Sequence, residues 1–206
     1  ENEYGVYIYL IMVLSLLPLL QLGSMHGTSI LLPKYIANPN KNANELFVYS
    51  NFISHLIQFA AVLSLFFFDI DLDKLTLVVI GANFFLSLYA QNAQDYLNSN
   101  HEFQKANIIK AFEQLLKPSL VFILFYFYRS IEAIFIAQLI ATIFILLISI
   151  WLVPLKNIVV DSRIFKEKAI TIYKIGFFVY LVWAVDIIFR TADRWIISKF
   201  YSLEEL

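Results

Sequence analysis

Along the last apolar stretch of this chain, Asp186, Arg190 and Arg194 stand four residues apart, and Asp193 follows Arg190 by three. Four-residue spacing stacks side chains along one face of a helix. The pattern therefore predicts a charged stripe on an otherwise apolar rod carrying Phe177, Phe178, Tyr180, Leu181, Ile187, Ile188 and Phe189. Charge in an apolar span is costly, about 2.5–3.5 kcal/mol or more at mid-membrane, and such residues usually face a cavity or a partner. Two readings fit. The stripe lines a water-filled cavity, or Asp186 and Arg190 neutralise each other near an interface while the long Arg stem snorkels.

Other spans hold fewer polar groups. Glu113 precedes Lys117 by four residues, the favourable order for a helical ion pair, and Lys117 sits directly before Pro118, where a helix can kink. This pair is either structural or substrate-facing. Gln91 and Asp95 share a face at the end of another span, where solvation at the interface is the simpler reading. His55 is alone in its span and reads as a hydrogen-bonded interhelical histidine rather than a proton carrier. Gln21, Gly23, Ser24, His26 and Gly27 form a polar, small-residue patch, and Gly23 and Gly27 have the spacing that lets helices approach closely.

No catalytic constellation accompanies these groups. The sequence has no Gly-rich phosphate loop, no Ser-His-Asp set and no carboxylate pair suited to glycoside chemistry. Cys is absent, and the three His residues, His26, His55 and His101, have no metal-ligand spacing, so neither a metal site nor a cofactor is expected. The net charge of −1 carries no nucleic-acid signature. Transport fits better than enzymology.

The elements that must position these residues are membrane helices. The chain is 60% hydrophobic and 15% charged, against about 45–50% and about 25% in soluble domains. A bilayer core needs about 20 apolar residues per helix. Spans are expected at about 6–32, 46–68, 75–95, 108–128, 133–155 and 169–191, giving an all-α polytopic bundle. Residues 37–45 read as an Asn-rich turn and 69–74 as an acidic one. Residues 98–107 read as a helix leaving the membrane, and 156–168 as a cytoplasmic amphipathic linker. One side of the bundle collects Lys34, Lys41, Lys105, Lys110, Lys156, Arg163, Lys166, Lys168 and Lys174; the other has Lys74, Arg129, Arg190, Arg194 and Lys199. The richer side is the cytoplasmic one. The apolar run begins almost at once after Glu1, and the chain reads as a stretch of a longer protein.

Short motifs add a family. Glu3-Tyr4-Gly5-Val6-Tyr7 matches an acidic–aromatic–Gly–x–Tyr turn, and Leu22-Gly23 with Pro33-Lys34-Tyr35-Ile36-Ala37 matches the end of the helix after it. Asp193-Arg194-Trp195-Ile196-Ile197-Ser198-Lys199-Phe200, followed by Glu204-Glu205-Leu206, matches an Asp-Arg block ending in acidic–Leu–Gly. In these the chain resembles the polysaccharide flippases of the multidrug/oligosaccharidyl-lipid/polysaccharide exporter superfamily. It departs from them at Gly176, followed by Phe177 and Phe178 where members often have x-Pro. The echo of Glu3-Tyr4-Gly5 in Glu205-Leu206, six spans later, is what a duplicated half would give. The resemblance implies helices two to seven of a two-lobed transporter, with 156–168 between the lobes. It also implies alternating-access export of lipid-linked oligosaccharide, such as O-antigen units on undecaprenyl diphosphate, across the bacterial inner membrane. It makes Arg190, Arg194 and Lys117 candidates for binding the anionic substrate. Asp186, Asp193, Glu113 and Asp95 become candidates for gating or ion coupling. Membrane lipid, the lipid-linked substrate, and a glycan polymerase and ligase are the implied partners. The rivals are a drug or cation antiporter of the same superfamily, favoured by an acidic cavity, a membrane-embedded glycan polymerase or ligase, and a purely structural subunit.

Overall fold

A computed structural model of the chain describes residues 23–65, 74–153 and 162–200; the side chains at 64–65, 162, 190–191 and 193–200 lie outside that description. The start of the first expected span, the motif at Glu3–Tyr7, most of the acidic turn, the first part of the 156–168 connection and the motif at Glu204–Leu206 also lie outside it. Within it the chain is all helix: α1 (Ser24–Ile36), α2 (Ala43–Leu65), α3 (Lys74–Ser99), α4 (Phe103–Tyr128), α5 (Ile131–Leu152) and α6 (Ser162–Phe200). Among the described residues, four stretches are long and apolar enough to cross a membrane: Ala43–Leu63, Lys74–Ser99, Ile131–Leu152 and Arg163–Phe189. The protein is a polytopic helical membrane bundle.

Local chemistry sets the turns. After α1 the Asn38 side-chain oxygen accepts the Asn40 amide at 3.0 Å, and Asn42 accepts the Glu45 amide at 3.2 Å, capping α2. The Asn-rich turn is thus shorter than the sequence suggests, because α2 already begins at Ala43. Between α3 and α4 only residues 100–102 break the helix. His101 takes φ 61° there, so the segment 98–107 is a sharp corner between two helices rather than one helix continuing. Arg129, at φ 48°, ends α4, and the Ser130 hydroxyl caps α5 by accepting the Ala133 amide at 3.3 Å. Pro118 lies inside α4 without ending it.

The longest helix, α6, has 39 residues, about 58 Å at 1.5 Å per residue and nearly twice the hydrocarbon thickness. It runs unbroken through Gly176, where the chain lacks the family's proline. Residues 162–168 are its first two turns, so that part of the connection continues directly into the last span.

The centre of the bundle is α3, which packs against α1, α2, α4 and α5, while α6 lies against α1 and α2. Leu32, Leu46, Phe47, Tyr89, Ile109, Ile145 and Ile172 form the buried core. Buried polar side chains stitch neighbours together. Thr28 and Ser50 share a hydrogen bond of 2.6 Å between α1 and α2, and Asn92 of α3 donates to Asn51 of α2 at 2.9 Å. Asn83 of α3 accepts from Thr142 of α5 at 2.5 Å. Such bonds suit a lipid-surrounded interior, where an unpaired polar group has no water to turn to. The outer surface is apolar, with aromatic side chains collected at helix ends. Tyr126, Phe127 and Tyr128 are exposed at the end of α4, and Trp151 is 79% exposed at the opposite end of α5. These are the positions at which aromatic side chains mark the two membrane interfaces.

Candidate functional site

The site begins with a backbone crossing. A Cβ on Gly176 of α6 would lie 2.1 Å from the Gly23 carbonyl oxygen and 2.6 Å from the Gly27 nitrogen, and one on Gly27 would lie 2.1 Å from the Ile172 carbonyl oxygen. Only glycine allows α1 and α6 to touch this closely. Gly23 also has φ 91°, a left-handed conformation natural to glycine, at the start of α1. The small-residue spacing of Gly23 and Gly27 is therefore a helix-packing device, and its partner is Gly176.

Beside the crossing, with Gly23 in its wall, α1, α3 and α6 line a cavity of about 280 Å³. His26 and Ser29 come from α1, Gln91 and Asp95 from α3, and Tyr180 and Trp183 from α6. The His26 and Trp183 rings meet edge to face at 5.2 Å. Gln91 and Asp95 share a face, as their spacing predicts, and that face turns toward the cavity. Among the described residues neither has a hydrogen-bond or ion-pair partner in the protein. This leaves a carboxylate and an amide, both able to bind a polar ligand, beside two aromatic rings.

The other sequence candidates separate from this cavity. Glu113 accepts Lys117 at 2.8 Å through one carboxylate oxygen and Gln94 of α3 at 3.3 Å through the other. Gln94 lies next to Asp95 in sequence but a third of a turn away, so it faces α4. Glu113 and Lys117 thus join α3 to α4 and do not line the cavity. Asp186 is exposed on α6, one turn beyond Trp183. The helix continues through Arg190, Asp193 and Arg194, whose side chains lie outside the described residues. Helical register puts positions 190 and 194 on the same stripe as Trp183, about two and three turns further along.

His26, Ser29, Tyr180 and Trp183 are additions to the sequence reading. His26 stands in the small-residue patch, and Tyr180 belongs by sequence to the apolar side of α6. The available signal is Trp183, seven residues before Arg190 and so in line with it. His55 differs from its expectation. Its Nδ1 donates to the Asn51 carbonyl one turn back in its own helix at 2.7 Å, and its ring meets Phe85 of α3 at 4.9 Å.

At the end of the bundle richer in Lys and Arg, Lys168 of α6 donates to the Tyr35 hydroxyl at 3.3 Å and lies 3.8 Å from Glu45 of α2. Lys41 sits over the Tyr35 ring at 4.9 Å. The start of α6 is thereby tied to α1 and α2. Among the described residues, no group of three His, Asp or Glu side chains is placed to hold a metal ion.

A profile of polysaccharide biosynthesis proteins matches residues 1–206. The chain belongs to that family. It is a membrane protein of polysaccharide biosynthesis, as the bundle and the motifs at its two ends lead one to expect. No curated protein and no solved structure matches it.

Proposed function

We propose that this polysaccharide biosynthesis protein is a flippase. It exports lipid-linked oligosaccharide across the bacterial inner membrane by alternating access, without catalysis of its own. The observation that carries the reading is the cavity between α1, α3 and α6, which brings the Gln91 and Asp95 side chains beside Tyr180 and Trp183 within a bundle of apolar helices. Family membership supports it by fixing the pathway as polysaccharide synthesis. In this reading α6 opens a second lobe and rocks against α1 at the glycine crossing. Arg190 and Arg194, in register with the cavity wall, receive the diphosphate, since guanidinium groups grip phosphate oxygens in pairs. Lys117 serves the anionic substrate indirectly, by keeping Glu113 neutralised between α3 and α4. Asp95, Asp186 and Asp193 are the acidic groups left for gating or ion coupling. A glycan polymerase and a ligase would take the exported units.

The decisive test is transbilayer movement of a fluorescent lipid-linked oligosaccharide in proteoliposomes holding the full protein. Wild type moves it, and Arg190→Ala at equal protein content does not; normal movement by Arg190→Ala would sink the assigned role. One observation favours a second reading. The described lining of the cavity includes Asp95 and no Lys or Arg, which suits a cation antiporter of the same superfamily. Movement of an organic cation dye, with none of the lipid-linked glycan, would select that reading.

A further inference from the structure

The cavity chemistry divides the cargo. Its described lining combines the aromatic side chains of Tyr180 and Trp183 with the polar groups of His26, Ser29, Gln91 and Asp95, and holds no Lys or Arg. A diphosphate would be repelled by Asp95 and would find no Lys or Arg among the described lining. A sugar ring, by contrast, has an apolar C–H face and a rim of hydroxyl groups. The C–H face suits a large aromatic surface such as Trp183, and hydroxyls suit acceptors and donors with unused capacity. Asp95 and Gln91 have that capacity, being without protein partners among the described residues. Together they offer three acceptor oxygens and one NH₂ group. The volume of about 280 Å³ lies just below the usual range of small-ligand pockets, about 300–1,000 Å³, and so suits one ring rather than a whole oligosaccharide. The edge-to-face contact with His26 holds the Trp183 ring in place.

We infer that the cavity between α1, α3 and α6 is a monosaccharide subsite for a neutral or amino-substituted pyranose, with Trp183 as its stacking platform and Asp95 as the group that excludes acidic sugars. The inference rests on the flippase reading and makes it more specific. The cargo is held in two parts along one stripe of α6: the sugar at Trp183, and the diphosphate two to three turns away at positions 190 and 194. Selection among glycans then acts on the ring seated beside Asp95, where a uronic acid would bring two carboxylates together.

The test is direct binding. Saturation-transfer NMR on the full protein in nanodiscs uses methyl β-glucopyranoside, methyl β-glucosaminide and methyl β-glucuronide as probes. The first two should bind and the glucuronide should not. Trp183→Ala should weaken binding of both about tenfold or more, while Trp183→Phe, which keeps an aromatic face, restores much of it and controls for folding. Asp95→Asn should narrow the gap between glucoside and glucuronide, because a neutral amide keeps the hydrogen-bonding capacity and removes the repulsion. Equal binding of glucuronide and glucoside by wild type, or unchanged binding in Trp183→Ala, would overturn the inference. Sugar binding is read without transport. Selective binding in a protein that moves no lipid-linked glycan would keep the subsite and reject the flippase, whereas transport without selective binding would do the reverse.

Discussion

Replacing Gly176 by alanine adds one methyl group, and the structure specifies where it goes. Its carbon would lie 2.1 Å from the Gly23 carbonyl oxygen, 2.6 Å from the Gly27 nitrogen and 2.9 Å from the Gly27 Cα, all backbone atoms of α1. An ordinary contact is no closer than 3.4 Å, so α1 and α6 must move apart by more than 1 Å. Overpacking of this kind costs about 1–3 kcal/mol. For a chain of this length each kcal/mol lowers the melting temperature by about 2–4 °C. Gly81 provides the control. There the added carbon would meet Val62 Cγ1 at 2.5 Å, a side-chain atom. Gly81→Ala should therefore be rescued by Val62→Ala, whereas no side-chain truncation should rescue Gly176→Ala. Thermal unfolding in nanodiscs, followed by circular dichroism, measures all of these variants. A Gly176→Ala protein that melts with wild type, or is no worse than Gly81→Ala, would refute the close-crossing argument.

Three further outcomes follow from the packing. Lys117→Met alone should lower the amount of folded protein in the membrane, because the Glu113 carboxylate loses its cationic partner, and adding Glu113→Gln should restore it; quantitative blotting of membranes decides this. A double-mutant cycle on Asn51 and Asn92 should give a coupling of about 0.6 kcal/mol and at most about 1.7, the range for hydrogen bonds between membrane helices. Lys168→Met should speed amide exchange across residues 162–170 while leaving α3 unchanged, since it releases α6 from Tyr35 and Glu45; equal exchange would show that the tie contributes nothing.

Much of this bundle was legible in the sequence because hydrocarbon is a strict solvent. The apolar runs that became α2, α3 and α5 could only be spans, and short polar segments could only connect them. Helix ends were harder to place, since Asn42 capping α2 and His101 turning the chain depend on local hydrogen bonds and one left-handed residue rather than on hydropathy. For the site, the shared face of Gln91 and Asp95 was readable from spacing, but its surroundings were not. The sequence treats Asp95 as an interfacial residue because its span ends there, and only the packing of α1 against both α3 and α6 brings Tyr180 and Trp183 into the same cavity. The same limit applies to Glu113 and Lys117. Their pairing follows from i, i+4 geometry, while the contact of Gln94 that fixes them to α3 joins residues 19 apart in sequence. His26 and Trp183 meet across even more of the chain, and no local pattern announces such a meeting.

The unequal placement of the glycine crossing along α6 has a mechanical consequence. Gly176 lies about 12 Å of helix from Lys168 and about 36 Å from Phe200. If that crossing is the fulcrum, the helix is a lever with one arm three times the other. A tilt that stretches the Lys168 tether by 1 Å swings the far end through about 3 Å. The short arm is held by an ionic tether at Lys168 and the long arm carries Arg190 and Arg194, so a small release at one membrane face becomes a large displacement toward the other.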